Sequence, residues 1–497
     1  MFCSGIFHKK EVICLKEQLL SVLQLLKEKH QVDYADIRVH DILQENISTE
    51  NQKVQSLSTG RTRGYGIRVF LDGSLGFAGS QDFSQMEQTA LTALEIAKAS
   101  RLVQREPVRL AEKDVIVDHY ETPIKIDPFS VPKEEKLEFL FEAERIMRAN
   151  APNLLRTRAN MGCRKEEKIF ADTDGSYITQ TLYETGGGIE AVAASQHDMQ
   201  ARSYPNSARG NWATAGYEYI LEMGLHENAP RVAKEAMALL EAEVCPSGYF
   251  DLILDPAQLT LQIHESVGHP TELDRVFGHE AGYAGTSFLD PSMAGQFQYG
   301  SEHVNIVADA TVPGGLGTFG YDDEGVPAQR VELITKGVFH NFTSSRDTAA
   351  VLGQRSNGTA RAAGWSRIPI VRMTNINLLP GDYELDELIA GIEYGFLFSV
   401  NRSWSIDDRR LNFQFGCEIA YEIKDGKLTG KIFKNPSYTG ITPEFWRSCD
   451  GVANEKYWKM YGTPNCGKGE PGQVAHVGHG SAPARFRNVK VGVADVK

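Results

Sequence analysis

Hydrophobic positions recur every three or four residues over 11–29, at Val12, Leu15, Leu19, Leu20, Leu23 and Leu26, a spacing that predicts an amphipathic helix. Short apolar or alternating runs follow at 34–43, 54–57, 66–70 and 75–78. They predict strands, and Leu71-Asp72-Gly73-Ser74 supplies hairpin turn chemistry between the last two. Helical spacing returns over 83–100 through Met86, Ala90, Leu91, Leu94 and Ala97. Residues 107–132, richer in Pro and acids, read as a connector, after which the same order of elements recurs. A helix over 133–149 carries Leu137, Leu140, Phe141 and Ile146 on one face; strands are predicted at 156–163, 167–171, 177–185 and 189–195, with a turn at 172–176 and a helix over 228–242. The reading is α+β: two helix-strands-helix halves form an N-terminal α/β domain, residues 1–244, without a residue-level repeat. Pro246-Ser247-Gly248 marks a break. Beyond it lie a helix over 256–268, two short ones at 346–353 and 384–394, and many short strands between Gly, Pro, Asn and Asp clusters, which predicts a β-rich C-terminal domain, residues 245–497.

Charge narrows the function classes. The 497 residues carry 52 Lys and Arg against 65 Asp and Glu, a formal charge of −13, and no run of basic residues exceeds two. Such a surface repels phosphate backbones, so no direct nucleic-acid partner is expected. No window approaches the roughly 18 to 20 apolar residues that span a bilayer. Lys9, Lys10 and Glu11 interrupt the apolar residues of 1–15, so the expectation is a cytoplasmic protein without a membrane partner. Seven cysteines, an odd number scattered over the chain, argue against a disulfide framework. Cys3, Cys14, Cys163, Cys245 and Cys417 sit in or beside apolar runs and read as structural thiols. The 46 glycines indicate many turns and strand kinks.

Candidate chemistry centres on His264-Glu265-Ser266-Val267-Gly268-His269, preceded by the helical stretch 256–263. In H-E-x-x-H the two imidazoles lie four residues apart on one helix face and share a zinc ion while the Glu works on water. Here the spacing is one residue longer, and five residues at about 100° each would put the second imidazole about 140° around an α-helix from the first. Two backbones bring both rings to one metal: a π-type turn, or a helix that ends at Gly268 with His269 swinging back, for which Gly268 and Pro270 are suited. A catalytic zinc needs a third protein ligand. The candidates are Glu272, Asp274, His279, His303, Cys449, Cys466, His476 and His479. Among them Cys466 stands in a Gly-flanked loop with Lys468 two residues on, a setting expected to expose a thiol and favour thiolate. Glu272 and Asp274 could orient the imidazoles, and His479 and Tyr283 are candidate oxyanion partners.

These residues carry a resemblance. HESVGHPTELDR, LGQRSNGTARAAG at 352–364, PIVRMTNINLLPG at 369–381, PNCGKGEPGQVAHVGHG at 464–480 and GYGIRVFLDGSLGFA at 64–78 resemble the TldD/PmbA family of zinc metallopeptidases, on its metal-binding TldD side, over nearly the whole chain. The resemblance implies that His264, His269 and Cys466 bind one zinc ion per active site and that Glu265 is the catalytic acid/base. It also implies a two-domain subunit that pairs as a homodimer or with a paralogous subunit, and that cleaves unfolded or short peptides in an enclosed site. The chain departs from the pattern in having Cys449, His476 and His479 nearby. Competing readings are a non-catalytic peptide-binding or scaffold subunit with a structural zinc, and a metal hydrolase of non-peptide amides.

Two further motifs lack the context their chemistry requires. Gly315-Leu316-Gly317-Thr318-Phe319-Gly320 matches a dinucleotide fingerprint but neither follows a strand directly nor opens a helix. The acids Asp322-Asp323-Glu324, followed by Gly325, lack the alternate spacing of a calcium loop and read as a turn.

Overall fold

In the computed structural model, which describes residues 9–207 and 210–492, the first helix, Lys9–Gln24, passes into a π-helical turn, Leu25–Lys29. Leu15, Leu19, Leu23 and Leu26 are buried along it. The predicted strands are fewer and longer than their apolar runs. Residues 34–43 are the start of Tyr34–Glu50, 54–57 and 66–70 belong to one strand, Lys53–Leu71, and the four runs between 156 and 195 fuse into Arg156–Asp172 and Tyr177–Ala194. The pattern breaks at charged residues because those residues are buried as pairs. Asp36 meets Arg68, His40 meets Glu166 at 2.7 Å, and Arg68 reaches across to Glu324 at 2.9 Å. One face of this sheet packs on the second half of the chain, so polar positions are shielded there too.

The first sheet runs in the order Ser74–Ser80, Lys53–Leu71, Tyr34–Glu50, Arg156–Asp172, Tyr177–Ala194 and Val117–Glu121, antiparallel except for the last pair. The residues read as a connector thus supply an edge strand, Val117–Glu121, which is mostly exposed and shows no apolar alternation. Helix Met86–Arg101 covers the first half of the sheet, and helices Lys133–Asn150 and Leu225–Glu241 cover the second. Each half keeps its own apolar cluster, around Leu19, Val39, Ile67 and Ala93 in one and Leu140, Ala159, Ala191 and Val232 in the other.

Beyond residue 247 the architecture is β-rich. Strands Tyr394–Ile406, Gly248–Leu254, Ala484–Val491, Ser437–Ile441 and Asn412–Lys424 pair in that order, and the last also pairs with the first, closing a ring. Phe396, Phe398, Phe413, Phe415, Tyr438 and Phe486 fill its core. A four-stranded sheet (Val338–Phe339, Arg330–Thr335, Ile306–Asp309, Ile376–Leu378) and a hairpin, Lys459–Lys468 with Gln473–Ser481, flank it. The short helix Thr442–Arg447, absent from the sequence reading, buries Phe445 and Trp446 in one turn and a half, too little chain for a periodicity to register.

Among the described residues no helix is long and apolar enough to cross a membrane. Cys163, Cys245, Cys417 and Cys449 are buried, and burial lifts the Cys163, Cys245 and Cys449 thiols to about 12. Cys14 departs from its reading as a core thiol and is exposed, on the outer side of the first helix; Cys3 lies outside the described residues. The glycine-rich 315–320 segment is a loop whose Gly317 N–H donates to Asn375 Oδ1 at 2.8 Å, with no helix after it. The acids at 322–324 form a turn around Asp322 Oδ1, which accepts from the N–H groups of Glu324 and Val326.

Candidate metal centre

Asp255 starts the helix that carries the H-E-x-x-x-H string: its carboxylate accepts from Gln258 N–H at 2.9 Å, and Pro256 follows as the first helical residue. The α-helix spans Pro256–Ile263 and then widens into a π-turn, His264–Gly268, in which the His269 N–H donates to the His264 carbonyl. This absorbs the extra residue, the first of the two backbones the spacing allows. His264 and His269 come side by side, ring centroids 4.9 Å apart and nearly perpendicular. A wider turn leaves backbone carbonyls short of partners, and side chains supply them. Tyr299 donates to the Ser266 carbonyl, and Thr271 Oγ1 donates to those of Val267 and Gly268 at 2.9 Å each. Gly268 is needed for space, since a Cβ there would lie 2.3 Å from Met373 Sδ.

Cys466 arrives from the hairpin, next to a register irregularity between Thr463 and Cys466, with its Sγ 3.8 Å from His269 Nε2. One donor atom each from His264, His269 and Cys466 lie within 4.8 Å of one another, and the three residues are 6%, 4% and 3% exposed. The neighbours fix the tautomers. His479 Nδ1 faces the Ile376 carbonyl at 3.3 Å and donates to it, so His479 Nε2 accepts from His264 Nδ1 at 2.8 Å. His269 Nδ1 donates to Glu272 Oε2 at 2.9 Å. Both imidazoles therefore keep Nε2 as a lone-pair donor. Burial lowers the pKa of His264, and of His269 and His479 more strongly, leaving neutral rings. Burial opposes ionisation of the Cys466 thiol, but the Arg372 guanidinium favours the thiolate, and the pKa lies below the ordinary value. Two neutral imidazole nitrogens and a thiolate-prone sulfur form the donor set of a borderline-soft cation such as zinc.

Glu265 faces the same cavity, about 330 Å³, whose walls include Thr260, Asn401, Trp404 and the 462–467 segment. Its Oε2 is ion-paired with Arg410 Nη1, and its Oε1 has no hydrogen-bond partner among the described residues. Behind His264, His269 and Cys466 lies a charged layer. Lys468 Nζ is 2.7 Å from Asp274, 3.4 Å from Glu272 and 3.9 Å from Glu280, and Arg275 pairs with Glu280 at 2.9 Å.

Several sequence expectations change here. Cys466 lies on a strand and is buried, where an exposed loop was expected, and Lys468 is engaged with the acids, so Arg372 takes its place beside the thiol. Glu272 orients His269 as anticipated, whereas Asp274 serves Lys468. His479 stands behind His264, away from an oxyanion position, and Tyr283 is exposed outside this cavity. Cys449, His279, His303 and His476 are not in the cluster; His476 Nδ1 sits 2.5 Å from Glu184. Arg372 and Arg410 were not singled out, and no local signal marks them, since each lies about a hundred residues or more from the string it meets.

Profiles described as PmbA/TldA metallopeptidase domain 1, central domain and C-terminal domain match residues 35–97, 126–242 and 247–493 in order. A metalloprotease of Methanothermobacter thermautotrophicus is 31% identical over 468 residues, 94% of this chain and 97% of its own. A zinc metalloprotease TldD homolog of Saccharolobus solfataricus is 24% identical over 276 residues, 55% of this chain and 58% of its own. The fold is shared with TldE of Thermococcus kodakarensis, TM-score 0.72 at 18% identity, covering 96% of this chain and all of that one. Matched in order by all three profiles and at full length by a metalloprotease, the chain belongs to the PmbA/TldA metallopeptidase family.

Proposed function

We propose that the chain is a zinc peptidase that hydrolyses unfolded or short peptides, with His264, His269 and Cys466 as ligands and Glu265 as acid/base. The observation that carries this reading is the convergence of one nitrogen from each of two imidazoles and one thiol within 4.8 Å beside a carboxylate with an unengaged oxygen. A zinc ion held there would supply Lewis acidity toward a scissile carbonyl and acidify water. Glu265 Oε1, open to the cavity, takes the proton of the attacking water and passes it to the leaving amine. Glu272 and His479 keep the ligand imidazoles in the tautomer that offers Nε2. Three protein donors among the described residues leave room for substrate, which favours a catalytic over a closed structural site. A cavity of about 330 Å³ is too small to admit a folded domain, which supports a short or unfolded substrate. We further propose a subunit divided at 244/245, acting in the cytoplasm as a homodimer or with a paralogous subunit.

The test is metal analysis and peptide cleavage on purified protein. Wild type is expected to hold one zinc per site and to lose cleavage to a chelator. Cys466→Ala and His269→Ala are expected to lose metal. Glu265→Gln should keep it while kcat falls by roughly 10²–10⁴-fold. Cleavage by Glu265→Gln at the wild-type rate would refute the mechanism.

A further inference from the structure

Two residues beside the candidate metal centre hold backbone conformations that their side chains disfavour. Val400 has φ +60° and Arg410 has φ +64°, both in the left-handed region that glycine enters freely and a β-branched residue very rarely. Val400 is buried against Ala257 and Tyr461, one residue before Asn401 in the cavity wall. Arg410 lies in the turn between Tyr394–Ile406 and Asn412–Lys424. That turn is pinned from several sides: Arg410 N–H donates to Asp407 O at 2.9 Å, Asp407 Oδ1 accepts from Leu411 N–H at 2.8 Å, and Thr442 Oγ1 donates to Arg410 O at 2.9 Å. The chain at 285–288 packs on it as well, with Thr286 N–H donating to Asp408 O and Phe288 N–H to Arg409 O. Strain of this kind persists only where surrounding structure over-determines it, and it concentrates at functional sites.

The side chain shows what the strained position gains. Apart from a long contact to Ala284 O at 3.5 Å, the Arg410 guanidinium has one partner, Glu265, and its buried Nε has none among the described residues. A guanidinium placed for its own satisfaction would find more acceptors. We infer that Arg410 is a positioning residue for Glu265. It holds Oε2 and thereby divides the carboxylate into one fixed oxygen and one, Oε1, free to exchange a proton in the cavity. The inference rests on the reading of Glu265 as acid/base, and it adds a second residue to the reaction from a turn 145 positions away in sequence.

The test uses Arg410→Gly, which removes the side chain and relieves the backbone, and Arg410→Lys, which keeps the charge without the planar fork. In Arg410→Gly we expect wild-type zinc content, a refined position for the Glu265 carboxylate in crystals that differs from the wild type, and kcat for peptide cleavage lower by about 100-fold with KM within about threefold. Added guanidinium should restore part of the rate to Arg410→Gly and none to Glu265→Gln, and Arg410→Lys should fall between wild type and Arg410→Gly. An unmoved Glu265 carboxylate, an unchanged kcat, or a fall in rate matched by loss of zinc would each overturn the inference. Should wild type hold zinc and cleave no peptide, the peptidase reading fails, and the crystallographic position of Glu265 still decides the role of Arg410.

Discussion

Glu272 and His479 each engage an imidazole of the cluster through its Nδ1 proton, Glu272 that of His269 and His479 that of His264. Replacing either by Ala frees a ring to rotate and to change tautomer, so zinc affinity is expected to fall by about 10- to 100-fold in competition with a chromogenic chelator. Glu280 makes a second prediction. Burial pushes its carboxyl up to about 7 from 4.5, helped by Glu272 and opposed by Lys468 and Arg275. A raised folded-state value means that the folded protein binds the proton more tightly. The stability this contributes is complete below about pH 4.5 and is lost as pH rises through about 7. Glu280→Gln does not titrate. Between pH about 5 and about 8 the wild type should lose up to roughly 3 kcal/mol more than the variant in denaturant titrations.

The π-turn is the element on which the centre depends. Five residues cannot bring two imidazoles together on an α-helix, so the spacing leaves a π-turn or a helix end at Gly268, and the structure takes the i to i+5 turn. Gly268→Ala would press a methyl against buried Met373, so a loss of about 1–3 kcal/mol in stability is expected, together with weaker metal binding. Thermal unfolding and zinc titration of the variant check both. The long strands of the first half were legible only in fragments. Alternation marks a strand with one dry and one wet face, whereas Tyr34–Glu50 buries Asp36, Arg38, His40 and Asp41 among paired charges. The hairpin that delivers Cys466 was read as a loop for a related reason: its glycines look like turn signals, yet they serve close approach, as at Gly462 against Trp212 O and Gly478 against Asn375.

At the scale of the whole molecule the halves are tied by buried ion pairs. Arg202, 1% exposed, donates to Glu418 Oε2 at 2.8 Å, and Glu418 also accepts from the N–H and Oγ of Ser203. Glu418→Ala leaves that guanidinium half-paired in the interior, at an expected cost of about 3–5 kcal/mol in urea unfolding. The chain carries a formal charge of −13, and no binding to duplex DNA is expected in fluorescence anisotropy at physiological salt.

The sequence by itself determined the α+β class, the H-E-x-x-x-H string with the two backbones that could unite its imidazoles, and the family, because each depends on local spacing or contiguous motifs. Tertiary structure chose the π-turn between those two and decided three things more. It fused the strand fragments, because burial of a charged residue depends on a partner far along the chain. It set the environment of Cys466, where Lys468 turned to the acids behind the site and Arg372 took its place beside the sulfur. And it brought Arg410 to Glu265, because an ion pair across 145 residues is written in the closure of the strand ring, which no local pattern encodes.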